Sequence, residues 1–263
     1  MRHLAPLAAL AVLSCSLSST WSSWAASDVS PSKLRQAAAH TAKGDKALEA
    51  GNLERARKYY GKALDAVVDF ADAHVGLGHI AMREQEFADA LAAFERARDG
   101  YIVMGDALYN QKAKDYYDSQ DKIRELQAAL SSLRTQRPSA SGATSDFRTQ
   151  QRITQLETEI QRLQNTDPPS EAEAREVPGK IFFYIGNALS RLQRVEDATA
   201  AWEQCVEKDP DFAPVYNNLA VAYWQAQRLK EAQSCVEKAE SLGVTVNPAF
   251  KAELQRSLRS RAD

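Results

Sequence analysis

The chain has 263 residues, with 33 Lys and Arg against 35 Asp and Glu and a net charge of −2. That balance excludes a polybasic nucleic-acid binder, because neutralising phosphates needs a clear cationic excess. A hydrophobic content of 44% supplies a core and excludes wholesale disorder. Sparse Gly and Pro beside abundant Ala, Gln, Glu, Leu and Arg make a helix-forming composition.

The first 27 residues stand apart from the rest. Met1-Arg2 is a short positive start and Leu4 to Leu13 an apolar run of secretory length. Two processing routes fit. Ser23-x-Ala25 or Ala25-x-Ser27 supplies small residues for cleavage after Ala25 or Ser27, whereas Val12-Leu13-Ser14-Cys15 resembles the bacterial lipobox and implies lipidation at Cys15. The chain is therefore expected to be exported, either to the periplasm or as an outer-membrane-anchored lipoprotein. Beyond this leader no stretch approaches the roughly 18 uninterrupted apolar residues of a spanning helix. Contact with a membrane is expected only through the lipid anchor. Cys205 and Cys235 remain beyond the leader, where an oxidising compartment permits a disulfide between them.

From residue 28 to 104 a periodic comb appears. Gly44, Ala56, Tyr60 and Ala63 recur 34 residues later as Gly78, Ala90, Phe94 and Ala97. The comb returns as Gly186, Ala198, Trp202 and Cys205, and once more as Ala220, Ala232, Val236 and Ala239. Small residues let two helices approach, and a bulky neighbour fills the groove beside them. A single pair cannot bury its apolar face, so copies stack. This pattern resembles the tetratricopeptide (TPR) repeat, with units at 37–70, 71–104, 179–212 and 213–246. The resemblance implies an all-α solenoid. The family proline is present only as Pro210, with Val68, Ile102 and Val244 at the matching positions, and Lys43 and Ala47 weaken the first helix.

The comb is lost over 105–178. Ile123, Leu126, Leu130 and Leu133 space three-four-three, as do Ile153, Leu156, Ile160 and Leu163. The two seams mirror each other about residue 143, predicting helices over 105–136 and 147–165 joined at Arg137-Pro138-Ser139 through Ser145-Asp146. An antiparallel coiled-coil hairpin satisfies this arithmetic; pairing of the seams between subunits, giving a homo-oligomer, is the rival. After the last repeat, 247–263 opens with Asn247-Pro248 and carries Phe250, Leu254 and Leu258 on one stripe, a helix to cap the stack.

Chemistry is sparse. No phosphate loop, dinucleotide-binding glycine motif or nucleophile elbow occurs. The histidines are His3, His40, His74 and His79, and the spacing of the last two does not suit a zinc site. No catalytic residue, metal or cofactor is expected. The repeat resemblance implies instead a protein or peptide partner held by the first helix of each pair: Phe183, Asn187, Ser190 and Arg191, then Asn217, Asn218, Val221 and Trp224. Amides bond both sides of a ligand backbone and aromatics cover its side chains. The corresponding N-terminal positions are Thr41, Asp45, Glu49, Val75, His79, Met82 and Arg83. The family's carboxylate-binding groove adds lysines and an arginine; here Phe183, Pro248 and Ala252 stand in those places and only the two asparagines match, so capture of an acidic C-terminus in this groove is not expected. The expected function is a non-enzymatic adaptor of the cell envelope, with a self-associating structural role in an envelope complex as the alternative.

Overall fold

Small-beside-bulky contacts build the architecture. The computed structural model describes residues 30–135, 143–170 and 176–260. The leader with Cys15 and both cleavage routes lies outside the described residues, as does the turn at Arg137-Pro138-Ser139. The described residues form ten helices and no strand. Four antiparallel pairs make the array: α1 (Pro31–Glu49) with α2 (Leu53–Ala66), α3 (Ala71–Glu84) with α4 (Phe87–Thr135), α6 (Gly179–Arg191) with α7 (Val195–Lys208), and α8 (Pro214–Gln225) with α9 (Leu229–Ser241). The helix α5 (Ala143–Gln164) lies on α4, and α10 (Pro248–Arg259) covers α9.

Each glycine of the comb faces a ring. A Cβ on Gly44 or Gly76 would collide with Tyr60, one on Gly78 with Phe94, and one on Gly186 with the Trp202 indole. In the fourth pair the ring becomes Val236 and the glycine becomes Ala220, so the summed volume is kept. Ala56, Ala63, Ala90, Ala97, Ala198, Ala232 and Ala239 are wholly buried, as are the Tyr60 ring and, nearly so, Phe94. Each such large side chain contributes on the order of 1.5–3 kcal/mol by leaving water.

The turns share a second device. Gly51, Gln85, Gln193 and Gln227 occupy one repeat position and are left-handed, with φ of 76°, 65°, 62° and 60°. Only the first is the residue type that takes this conformation without steric cost. Asn52 then caps α2, its side chain accepting from the Arg55 N–H.

Three boundaries differ from the sequence expectation. Helix α1 begins at Pro31 rather than 37, because Ser30 caps it and Pro31 fills the first helical position. Helix α5 begins at Ala143, so Ser145 and Asp146 are helical, with Asp146 in the first turn where a carboxylate suits the dipole. Most consequential, α4 runs 49 residues without a break at 104–105. No proline interrupts it, and Gly100 serves close packing against the Asp69 carbonyl instead of ending the helix. At 1.5 Å per residue α4 is about 74 Å long. One helix is thus both the second helix of repeat two and the first strand of the hairpin.

The hairpin is held by a cluster of Ile123, Leu130, Leu156 and Ile160, flanked by Leu126, Leu133, Ile153 and Leu163, with Arg134 and Glu157 paired at 2.6 Å. It does not divide the array. Helix α4 packs directly on α6, and one core runs from Ala81, Leu91 and Phe94 through Ile181, Trp202, Leu219 and Val236 to Leu254. His79 lies edge-on to Tyr184 at 4.5 Å and to Phe94 at 5.4 Å, closing the seam between repeats two and three.

Candidate peptide-binding face

The first helices α1, α3, α6 and α8 carry the candidate positions, and their local geometry decides which remain available. The Trp202 indole N–H, donor only, bonds Asn187 Oδ1 at 3.2 Å, and Asn218 Nδ2 donates to the same oxygen at 2.8 Å. Because an indole nitrogen cannot accept, the orientation of both amides is fixed. What remains is the Asn187 NH2 and the Asn218 carbonyl oxygen, a donor and an acceptor side by side. Phe183, half-buried, packs edge-on to Phe212 at 5.1 Å and beside Tyr184 at 6.0 Å. On α8, Asn217 is half-buried and Val221 is 39% exposed. Ser190 is half-buried one turn beyond Asn187.

Two expected groove residues are engaged elsewhere. The Trp224 ring meets Phe250 edge-on at 5.9 Å and its N–H bonds Ser257 Oγ at 3.2 Å, so the capping helix α10 takes it. The Arg191 guanidinium lies 5.7 Å over the Phe87 ring at the start of α4, facing the junction of repeats two and three. The N-terminal half is similarly engaged. Asp45 accepts from Tyr60 Oη at 2.7 Å, Arg83 donates to the Leu48 carbonyl at 2.8 Å, Val75 and Met82 pack on the core, and Thr41 is buried. Glu49 is exposed.

Electrostatics follow burial. Tyr60 is pushed well above the usual phenol range by burial and then by the Asp45 carboxylate. His74 and His79 are both held below the usual imidazole value, first by burial. His74 nonetheless bonds the Val68 carbonyl at 3.0 Å. The expected permissible bond between Cys205 and Cys235 is not formed. Both are buried free thiols, pushed up to about 11 by burial. They sit four residues out of register on the second helices of successive pairs, since the repeat partner of Cys205 is Ala239, which is about 6 Å of stagger along the axis. Among the described residues no group of three or more His, Cys, Asp or Glu is placed to hold a metal ion, and no helix is long and apolar enough to cross a membrane.

The signals that sequence reading missed are these internal hydrogen bonds. An asparagine 15 residues before a tryptophan, on the facing helix of the same pair, was the available clue to the Asn187–Trp202 contact.

Comparison with known proteins supports the repeat. The tetratricopeptide-repeat family model matches residues 41–102 and 185–235. No curated protein sequence matches the chain. Among solved structures, the chain is similar to pilF of Pseudomonas aeruginosa at 17% identity, over 88% of each chain, with a TM-score of 0.39. It is similar to a thermophilic TPR protein of Thermus thermophilus at 15% identity, over 84% of this chain and 98% of that one, with a TM-score of 0.35. It is also similar to YrrB, a TPR protein with an unusual peptide-binding site, at 18% identity, over 85% and 91%, with a TM-score of 0.27. With its 34-residue comb, its paired helices and this family match over 41–102 and 185–235, the chain carries tetratricopeptide repeats.

Proposed function

We propose that this chain is a non-enzymatic adaptor of the bacterial envelope that docks an extended peptide segment on the α6–α8 face. The carrying observation is the Asn187–Asn218 pair, which Trp202 orients so that one amide donor and one carbonyl acceptor are offered together. A peptide backbone presents the complementary C=O and N–H. Preorganised groups lose less freedom on binding than mobile ones. Phe183 and Val221 flank the pair and supply apolar contact. The envelope assignment is supported by the apolar run Leu4 to Leu13 and by Cys15 in its lipobox-like setting; labelling with a fatty-acid analogue, compared with Cys15→Ser, separates the lipidated from the cleaved route.

Asn187→Asp tests the docking face. The aspartate keeps the oxygen that Trp202 and Asn218 use, and replaces the outward NH2 donor by a negatively charged acceptor oxygen. Pull-down from envelope extract with this variant is expected to lose the partner that the wild-type chain retains, with unchanged circular dichroism. Equal recovery would remove the assignment.

A second reading has its own observation. Leu108, Tyr117 and Phe147 on α4 and α5 are 56%, 64% and 72% exposed, which favours association through the hairpin. Sizing the mature chain with and without residues 107–177 decides it, and a monomer in both cases sinks that reading.

A further inference from the structure

The two ends of the array are finished differently. At the C-terminal end α10 covers the last pair, and three of its four charged side chains are paired: Lys251 with Glu240 at 2.5 Å and Arg256 with Glu253 at 2.8 Å. At the other end, residues 31–66 carry eight basic side chains against four acidic ones, although the chain as a whole is net negative. Lys33, Lys43, Arg55, Lys58 and Lys62 are exposed, and none has an ion-pair partner among the described residues.

These cations gather around two rings. Tyr59 has the Arg55 guanidinium 5.7 Å and the Lys62 ammonium 5.8 Å from its centroid, and His40 stacks beside it at 6.5 Å with an interplanar angle of 23°. The neighbouring cations, Arg55 first and then Lys43 and Lys62, hold the Tyr59 phenol below its usual range. His40 lines a depression of about 410 Å³ with Lys33, Gln36, Lys62, Asp65 and Ala66.

Repeat register explains why this end is unfinished. His40 and His74 are 34 residues apart at one repeat position. His74 is buried and bonds the Val68 carbonyl in the linker that follows the preceding pair. His40 has no preceding pair among the described residues, and its Nδ1 is buried without a hydrogen-bond partner. A stack end needs a polar face for solubility, but mixed and paired charge suffices for that, as α10 shows.

We propose that the His40–Tyr59 face is a second docking surface, for a Glu- and Asp-rich protein segment. Unpaired lysines and an arginine attract carboxylates, the depression admits side chains where a flat lipid surface would bridge it, and His40 adds a hydrogen-bonding nitrogen. The chain's own leader does not supply the carboxylates, since Asp28 is the only acidic residue in its first 29. This surface is separate from the α6–α8 face and stands whether or not that face binds peptide.

The test is fluorescence anisotropy of the full chain with a labelled ten-residue peptide of alternating Glu and Ala. Binding at low ionic strength is expected, weakened at least tenfold by Lys43→Glu with Lys62→Glu and strongly by about 0.5 M salt. These side chains are exposed, so circular dichroism should not change. Lys208→Glu with Lys230→Glu, the same charge change at the other end of the array, should bind as the wild type does. Equal loss in both double variants, or equal binding by wild type and Lys43→Glu/Lys62→Glu, overturns the proposal. So does sedimentation with phosphatidylglycerol vesicles in the absence of peptide binding, which would make the face a membrane contact.

Discussion

The repeat array and the hairpin both pair helices, but they bury them by different rules. In the array a ring enters the space left by a glycine, as Tyr60, Phe94 and Trp202 do; one core continues from the second pair to the fourth, and the first pair shares its own core with α3. In the hairpin four buried aliphatic side chains and four partly buried ones meet along one seam. A single 49-residue helix, α4, thus changes its manner of packing part-way along. Its first third is fixed on both sides by α3 and α6, and its last third rests on α5 alone.

The sharpest way to break this contrast is a substitution at a ring-filled glycine. Gly186→Val drives branched carbons into Trp202 and is expected to cost about 3 kcal/mol or more, read as a shift in the urea midpoint by tryptophan fluorescence. Leu130→Ala removes a comparable volume from the hairpin at about 2–3 kcal/mol. Its effect should stay local: faster proteolysis between α4 and α5, with the main transition unmoved. If the main transition shifts by the full amount, the hairpin is not separate from the array.

Acid should act on the array alone. His74 and His79 are held below the ordinary imidazole value by burial, so the unfolded chain binds protons more readily than the folded one. Stability is therefore full above about pH 6.5 and falls as pH drops toward the lower folded values. Urea midpoints at pH 7.5 and 5 check this, and His79→Phe should flatten part of the slope. The smallest effect is at the turns. Gln85→Gly or Gln193→Gly relieves a left-handed non-glycine residue, and each should stabilise by about 0.5–1 kcal/mol, a rise of a few degrees in thermal midpoint.

Much of this was legible in the residues because packing imposes a period. Gly44, Ala56 and Tyr60 repeat with a constant stride since each contact needs the same pair of sizes, and the hairpin seam shows through its own spacing. What stayed hidden depends on partners across space. The left-handed turns were readable at Gly51 but not at Gln85, Gln193 or Gln227, where fold geometry overrides residue preference. The packing role of Gly100 has no local sign and shows only in its approach to Asp69. Asn187 and Asn218 were visible as groove candidates, yet the bond from Trp202 that orients them was not, and Trp224 looked free because nothing local shows Phe250 and Ser257 covering it. The basic end face was present as charge in residues 31–66, but its lack of pairing is a property of the fold.

Four repeats form one array across the inserted hairpin, with repeats two and three joined at His79, Phe94 and Tyr184. Native-state hydrogen exchange with mass spectrometry, at rising sub-denaturing urea, tests it most directly. Amides of α2 and α3 are expected to lose protection at the same urea concentration, and with the same opening free energy, as those of α7 and α8, while α5 opens earlier. Loss of α2 and α3 through a separate opening of lower energy, leaving α7 and α8 protected, would contradict the account.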